Sequence, residues 1–378
     1  MNETEYMRRA LALAQQAEGH THPNPMVGCV VVKDGRVIAE GYHRKCGDFH
    51  AERNALLNCT EDPAGADLYV TLEPCCHHGR TPPCTDIILE KGIRRVFVGA
   101  LDVNPKVAGQ GVQILRDHGV DVVTGILEEE CREQNEVFFH CMTQKRPFVA
   151  LKYAMSLDGK IACHTGDSKW ITGPEARGYV QVLRNRYTGI LAGIGTVLED
   201  DPMLNCRMEG GEDPVRIVCD SALRIPEASR LVRSAPDIPT LVFCTEAALE
   251  KPECAEKAER LEAQGVTVLP VPADPDGHAD AGAVLAELFR RDVDSVLCEG
   301  GGTLNGSLLA AGLVDKVYAF VGAKVIGGAG AKSPVEGAGA AVMADALNFS
   351  KLKIHTFGTD LLIEGVPDRK EGTLCSPD

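Results

Sequence analysis

His50, Glu52, Cys75 and Cys84 combine the residue types of a hydrolytic zinc site. An imidazole and two thiolates are ligands Zn²⁺ prefers, and three protein ligands leave the fourth tetrahedral position open to water, which separates a catalytic site from a structural one. Glu52 lies two residues from His50, close enough to take a proton from that water and hand it to a leaving group. The predicted chemistry is hydrolytic removal of an amine from a ring carbon.

These residues resemble the zinc nucleobase deaminases, in which the glutamate is acid and base but not a ligand. The usual second half there is Pro-Cys-x-x-Cys, whereas Cys75 is separated from Cys84 by Cys76-His77-His78-Gly79-Arg80-Thr81-Pro82-Pro83. Cys76, His77 and His78 therefore compete as ligands, and a fourth protein ligand would make the site closed and structural. Cys84 is preferred because Thr85 to Lys91 reads as a helix ending at Gly92, so that Cys84 sits at its N-terminus, where the dipole favours a thiolate.

The surrounding residues narrow the resemblance. Thr21-His22-Pro23-Asn24-Pro25-Met26-Val27-Gly28, Gly41-Tyr42-His43 and the run from Leu72 to Cys84 look like the deaminase half of the bifunctional riboflavin-biosynthesis deaminase/reductases. That resemblance implies a cytidine-deaminase-like three-layer α/β/α domain. Its substrate would be a diaminopyrimidinone carrying a ribose phosphate, with the 2-amino group replaced by oxygen. Asn24 suits a pyrimidine edge, since an amide offers both donor and acceptor; an Asx-type turn before Pro25 is the competing reading.

A second chemistry is suggested by Glu299-Gly300-Gly301-Gly302-Thr303-Leu304-Asn305-Gly306-Ser307, which follows a strand and opens a helix, bringing backbone N–H groups up to a phosphate. It is not Gly-x-Gly-x-x-Gly, so the ordinary dinucleotide fold is not indicated, and a plain strand-to-helix turn competes. Together with Ala150 to Lys160 and Gly193 to Pro202, the run resembles the reductase half of the same family, an α/β domain similar to dihydrofolate reductase that uses NADPH. The resemblance implies that Ala154, Trp170, Thr196, Asp200, Ser221 and the residues Gly301, Gly302, Thr303, Leu304, Asn305, Gly306 and Ser307 contact the dinucleotide. Ser168, Arg184, Leu204, Arg207 and Glu299 would contact the ribosylaminopyrimidine, with Arg184 and Arg207 as guanidinium forks for its phosphate. For Asp200 and Lys152 the plainer reading is a salt bridge.

The elements that must position these residues alternate. Helices are expected over Glu3 to Glu18, from His50 through Leu57 and over Val112 to His118, and a hairpin over Gly28 to Ala39 turns at Asp34-Gly35. Ala66 to Leu72, Arg95 to Leu101 and Val120 to Thr124 read as strands, and Glu128 to Arg146 as a charged helical connector. A domain boundary is placed there, giving a deaminase domain over 1–146 and a reductase domain over 147–378. In the second domain strands are expected at Val149 to Ala154, Gly189 to Ile194, Val215 to Cys219, Thr240 to Phe243, Val266 to Val271, Ser295 to Cys298, Lys316 to Val321 and Leu352 to Glu364. Helices fall near Glu175 to Tyr187, Ala247 to Ala263 and Ala283 to Arg290, and the tail from Pro367 is expected to fray.

A length of 378 residues is sufficient for two cores. The net charge of −15 disfavours a large polyanionic partner, which needs a basic stripe. It therefore argues against the alternative of a nucleic-acid editing deaminase with a fused binding domain; a zinc-stapled binding protein is a third reading. An acidic N-terminus without an apolar core is no signal peptide, no uncharged apolar run approaches a membrane span, and the odd total of 15 cysteines suits a reducing compartment. We expect a cytoplasmic homo-oligomer that binds one zinc ion per deaminase domain, NADPH and a small phosphorylated pyrimidine, with no nucleic-acid or membrane partner.

Overall fold

A computed structural model describes residues 2–78, 82–104 and 107–368, so that Gly79, Arg80 and Thr81 of the inter-cysteine loop, and the tail from residue 369, lie outside the described residues. Two compact units are present, the first ending at Lys145 and the second beginning at Arg146.

In the first unit the order is α1 (Glu3–Gln15), β1 (Gly28–Lys33), β2 (Arg36–Tyr42), α2 (Ala51–Leu57), β3 (Asp67–Leu72), α3 (Cys84–Glu90), β4 (Arg95–Ala100), α4 (Gln110–Asp117), β5 (Asp121–Thr124), α5 (Glu128–Gln134) and α6 (Glu136–Gln144). The sheet order is β2-β1-β3-β4-β5, with β1 antiparallel to β2 and β3, and β3, β4 and β5 parallel. Strand alternation sorts the side chains into two layers. Val31, Val70 and Val98 pack with Ala55 of α2, Ile88 of α3 and Leu115 of α4, while Val30, Tyr69 and Phe97 pack with Met7 of α1 and Cys131 of α5. This is the expected α/β/α arrangement. Asp34 and Gly35 both have positive φ, at 50° and 73°, as a two-residue hairpin turn of the right twist requires.

The connector after residue 128 is two helices and not one. Asn135 interrupts it at φ −110°, ψ 27°, because its buried amide pairs with the backbone N–H and C=O of Met26, each at 2.8 Å. That bridge ties the connector to the segment carrying Asn24.

The second unit runs β6 (Phe148–Ser156), α7 (Pro174–Arg186), β7 (Gly189–Gly193), α8 (Ile194–Asp200), β8 (Val215–Cys219), α9 (Arg230–Arg233), β9 (Thr240–Thr245), α10 (Glu246–Leu249), α11 (Pro252–Glu262), β10 (Val266–Val271), α12 (Ala281–Arg290), β11 (Ser295–Cys298), α13 (Gly302–Ala310), β12 (Lys316–Gly322), β13 (Phe349–Phe357) and β14 (Asp360–Pro367). Its nine strands lie in the order β10-β9-β8-β7-β11-β6-β12-β14-β13, parallel from β10 to β12 and antiparallel beyond. One face is covered by α12 and α13, the other by α8 to α11.

Three expectations are corrected. Ile194 opens α8 instead of ending a strand. The helix expected over 247–263 is split, since Pro252 lacks the N–H an uninterrupted helix would need and instead starts α11. Leu352 to Glu364 is a hairpin, turned at Gly358 with φ 60°.

Candidate functional site

In the first unit, His50 is the N-cap of α2 and Cys84 the first residue of α3, so two helix N-termini converge. Gly41 on β2 makes the first of these possible: a Cβ there would stand 2.5 Å from the Ala55 nitrogen and 2.6 Å from the Ala51 oxygen, so α2 lies directly on the strand. Cys75 emerges from the C-terminal end of β3, and its carbonyl accepts the N–H groups of Cys84 (3.0 Å) and Thr85 (3.2 Å), which closes the loop.

His50 Nδ1 is 3.4 Å from Cys75 Sγ and 3.5 Å from Cys84 Sγ, and all three donor atoms lie within 4.8 Å of one another. Tetrahedral zinc with its usual bond lengths sets nitrogen and sulfur about 3.5 Å apart, so the donor set fits that ion. Among the described residues no other trio of histidine, cysteine and carboxylate groups is so placed, and Cys76 and His77 stand outside it.

Glu52 is buried beside the cluster at 3% exposure. Burial, reinforced by negative charge on Cys75, pushes its carboxyl up to about 7, close to where a group can both take and give a proton. The thiols differ from the reading that favoured a thiolate on Cys84. Cys84 donates to Cys75, and its backbone N–H also points at Cys75 Sγ at 3.4 Å, so the helix terminus and His50 hold the Cys75 thiol well below its ordinary range. Cys84 itself, donating to Cys75 and buried near Glu52, is pushed up.

Asn24 reaches this site through His43. Its Nδ2 is 3.2 Å from Nε2 of His43, whose Nδ1 is 3.2 Å from the Phe49 carbonyl and whose ring meets His50 edge-on at 5.3 Å between centroids. One neutral tautomer satisfies both bonds, and burial lowers the His43 pKa in keeping with it. The Asn24 backbone N–H bonds to Thr21, so the segment is a turn, but the side chain faces His43.

In the second unit a cavity of about 1060 Å³ opens at the C-terminal ends of β6, β7, β8 and β11, where parallel α/β sheets bind ligands. Every residue assigned to the reductase half lines it except Gly306. A Cβ on Gly306 would stand 1.9 Å from the Glu336 carbonyl, so this glycine seats α13 against the chain at 333–336. Asn305 supports the same contact, its amide donating to the Pro334 carbonyl at 2.7 Å. Gly300 and Gly301, at φ 98° and 80°, make the turn that aims the start of α13 at the cavity.

Glu299 organises the polar wall. Arg184 grips it with two bonds of 2.6 and 2.9 Å, Lys152 stands 3.6 Å away, and Arg184 also donates to the Asn205 carbonyl at 2.9 Å. Burial alone would raise the Glu299 carboxyl, but the charges of Arg184 and Lys152 hold it at about 2. The fork assigned to a phosphate thus faces a carboxylate here, while Arg207 is exposed at the cavity. Lys152 and Asp200 do not pair with each other: Asp200 meets Lys169 at 3.3 Å. Ser221 Oγ accepts the Ala279 N–H at 2.9 Å. Trp170 is 61% exposed, with the Arg177 guanidinium 4.5 Å from its ring, and the pairing could not be read from spacing alone.

Two family models match in this order: the cytidine and deoxycytidylate deaminase zinc-binding region over 1–100, and the RibD C-terminal domain over 147–363. The riboflavin biosynthesis protein RibD of Actinobacillus pleuropneumoniae is 48% identical, over 97% of this chain and 96% of its own. A crystal structure of a diaminohydroxyphosphoribosylaminopyrimidine deaminase/5-amino-6-(5-phosphoribosylamino)uracil reductase from Thermotoga maritima superposes with a TM-score of 0.83 at 40% identity, covering 97% of this chain and 99% of that one. Acinetobacter baumannii RibD gives a TM-score of 0.84 at 35% identity, with 97% and 99% coverage. Since the likeness runs through the cysteine-histidine cluster and the glycine-turn cavity alike, the chain belongs to the RibD family, bifunctional enzymes of riboflavin biosynthesis that join a zinc-dependent deaminase to an NADPH-dependent reductase.

Proposed function

We propose that the deaminase domain spans 1–146 and works through His50, Cys75 and Cys84 as ligands of one zinc ion, with Glu52 as the catalytic acid and base. The observation that carries this reading is the convergence of the three donors beside the buried Glu52 carboxyl. Zinc held by the three would supply Lewis acidity at its open position. Glu52 takes a proton from the attacking water and delivers it to the departing amino nitrogen, so that the water oxygen becomes the ring carbonyl and the 2-amino group leaves as ammonia. Asn24, held on His43, orients the pyrimidine edge.

The reductase domain spans 147–378. NADPH, bound along the turn and helix start at Gly301 to Ser307 and by Ala154, Trp170, Thr196, Asp200 and Ser221, would supply the hydride that reduces the opened ribose carbon to ribityl. Gly306 contributes by packing. Glu299, Arg184 and Lys152 form a rigid wall with Ser168 and Leu204 near the substrate, and Arg207 remains as a fork for the phosphate. The diaminohydroxyphosphoribosylaminopyrimidine is the starting substrate. We also assign a cytoplasmic homo-oligomer, supported by the edge strand β13, where Leu352 and Ile354 are 59% and 68% exposed. No helix among the described residues is long and apolar enough to cross a membrane.

The test is to give the enzyme the diamino substrate with and without NADPH. Ammonia release independent of NADPH, followed by NADPH oxidation equal to the ammonia released, is expected. Oxidation of NADPH by the diamino compound before any ammonia appears would contradict this order.

A further inference from the structure

Glu73 directly follows β3, two residues before Cys75, and is only 4% exposed, yet among the described residues its carboxylate pairs with no cation. Its three partners among the described residues are main-chain N–H groups of one distant segment. Oε2 accepts from Asp102 at 3.2 Å and Gly109 at 2.9 Å, and Oε1 accepts from Val112 at 3.1 Å. Val112 is the third residue of α4, so the carboxylate satisfies orphan donors at that helix's start, where negative charge is favoured. Ordinarily such a cap comes from the residue just before the helix. Here Gly109 holds that position and has no side chain, so the cap is supplied by the residue that follows β3 instead.

The approach is close. A Cβ on Gly111 would stand 2.1 Å from the Pro74 carbonyl, and Glu73 N–H bonds to the Ala100 carbonyl at 2.9 Å. Because β3 and β4 are parallel neighbours, with Leu72 opposite Ala100, the turns that follow them leave the same sheet edge side by side. One turn carries Cys75; the other begins at Asp102.

We propose that Glu73 is a positioning residue for deamination, fixing Asp102 and the start of α4 from Gly109 to Val112 as a wall against which the phosphorylated pyrimidine binds beside the ligand turn. It acts on substrate affinity, not on the metal or the proton transfer. This rests on the assignment of His50, Cys75 and Cys84 as ligands.

Glu73→Gln keeps the shape but replaces one acceptor by an NH₂ group facing backbone donors. In the full-length zinc-loaded enzyme the deaminase KM for the diaminohydroxyphosphoribosylaminopyrimidine should rise about 10-fold with kcat within about 2-fold, as for a wall that loses buried backbone bonds. Zinc should stay at one equivalent, reductase kinetics should not change, and deuterium exchange should rise in peptides bearing Gly109 and Val112. Should Glu73→Gln fail to accumulate, Glu73→Asp, which keeps the charge but shortens the reach, should show the same KM-selective loss. An unchanged KM with only a lower melting temperature would make Glu73 merely structural and overturn the proposal; so would loss of zinc, or a fall in kcat at constant KM. Wild-type enzyme lacking zinc when purified active would instead overturn the ligand assignment.

Discussion

The two sites of this chain are built from different materials. The first gathers three donor side chains and one buried carboxyl around a single point. The second is a cavity whose wall comes from residues as far apart as Lys152 and Glu336, with a glycine turn, a helix start and a buried ion network sharing the load. A point of chemistry concentrates its vulnerability in single atoms; an extended binding surface distributes it. The substitutions that separate the two therefore differ in size as well as in place.

The largest effect is expected at the point. Glu52→Gln should lower deamination on the order of 10²–10⁴-fold while zinc remains and NADPH-dependent reduction continues, since only proton transfer is removed. Metal analysis and the two assays on one preparation check this. Zinc lost together with activity would make Glu52 a ligand.

Next comes the ion network. Glu299→Gln leaves Arg184 and Lys152 without their countercharge, and removing one partner of a buried pair costs roughly 3–5 kcal/mol. Thermal unfolding of the second unit should shift down while the zinc site keeps its metal. In the wild type the same carboxyl sets an acid limit. Its folded pKa of about 2 lies below the ordinary 4.5, so its stabilisation is complete above about pH 4.5 and fades as pH falls toward 2. An acid unfolding profile unaltered by Glu299→Gln would remove Glu299 from that role.

A smaller change should follow from the turn. Gly306→Ala places a methyl against the Glu336 carbonyl, so α13 must shift, and NADPH affinity should fall about 10-fold although Gly306 does not line the cavity. Unchanged affinity, measured by titration of the fluorescence of Trp170, would show that the helix start does not position the cofactor. Smallest is Arg207→Ala. An exposed guanidinium contributes less than a buried one, so the reductase KM for the pyrimidine should rise about 3- to 5-fold with NADPH affinity constant. The opposite pattern would move Arg207 to the cofactor side.

The same contrast governs what could be read from residue order. His50, Glu52, Cys75 and Cys84 announce themselves because metal chemistry demands particular side chains, and the strand and helix periods around them placed the α/β/α layers. What escaped depends on partners distant in sequence. Arg184 is a plausible phosphate ligand until Glu299, reached across the sheet, is seen to hold it. Gly306 belongs to a glycine run that suggests phosphate contact, but its closeness to Glu336 is a packing fact of three dimensions. Asn135 breaks a helix through a bond to Met26, far outside any local window. His43 and Glu73 lie within the motif segments, and the signal available for Glu73 was a charged residue directly following a wholly buried strand.

The central claim is that the first site is an open zinc centre with one imidazole and two thiolates. Zinc-edge X-ray absorption on the purified full-length enzyme tests it most directly. The account predicts two sulfur neighbours at about 2.3 Å and two nitrogen or oxygen neighbours near 2.0 Å, with one sulfur lost in Cys84→Ser and none in Cys76→Ser. A third sulfur, or a spectrum altered equally by both substitutions, would contradict it.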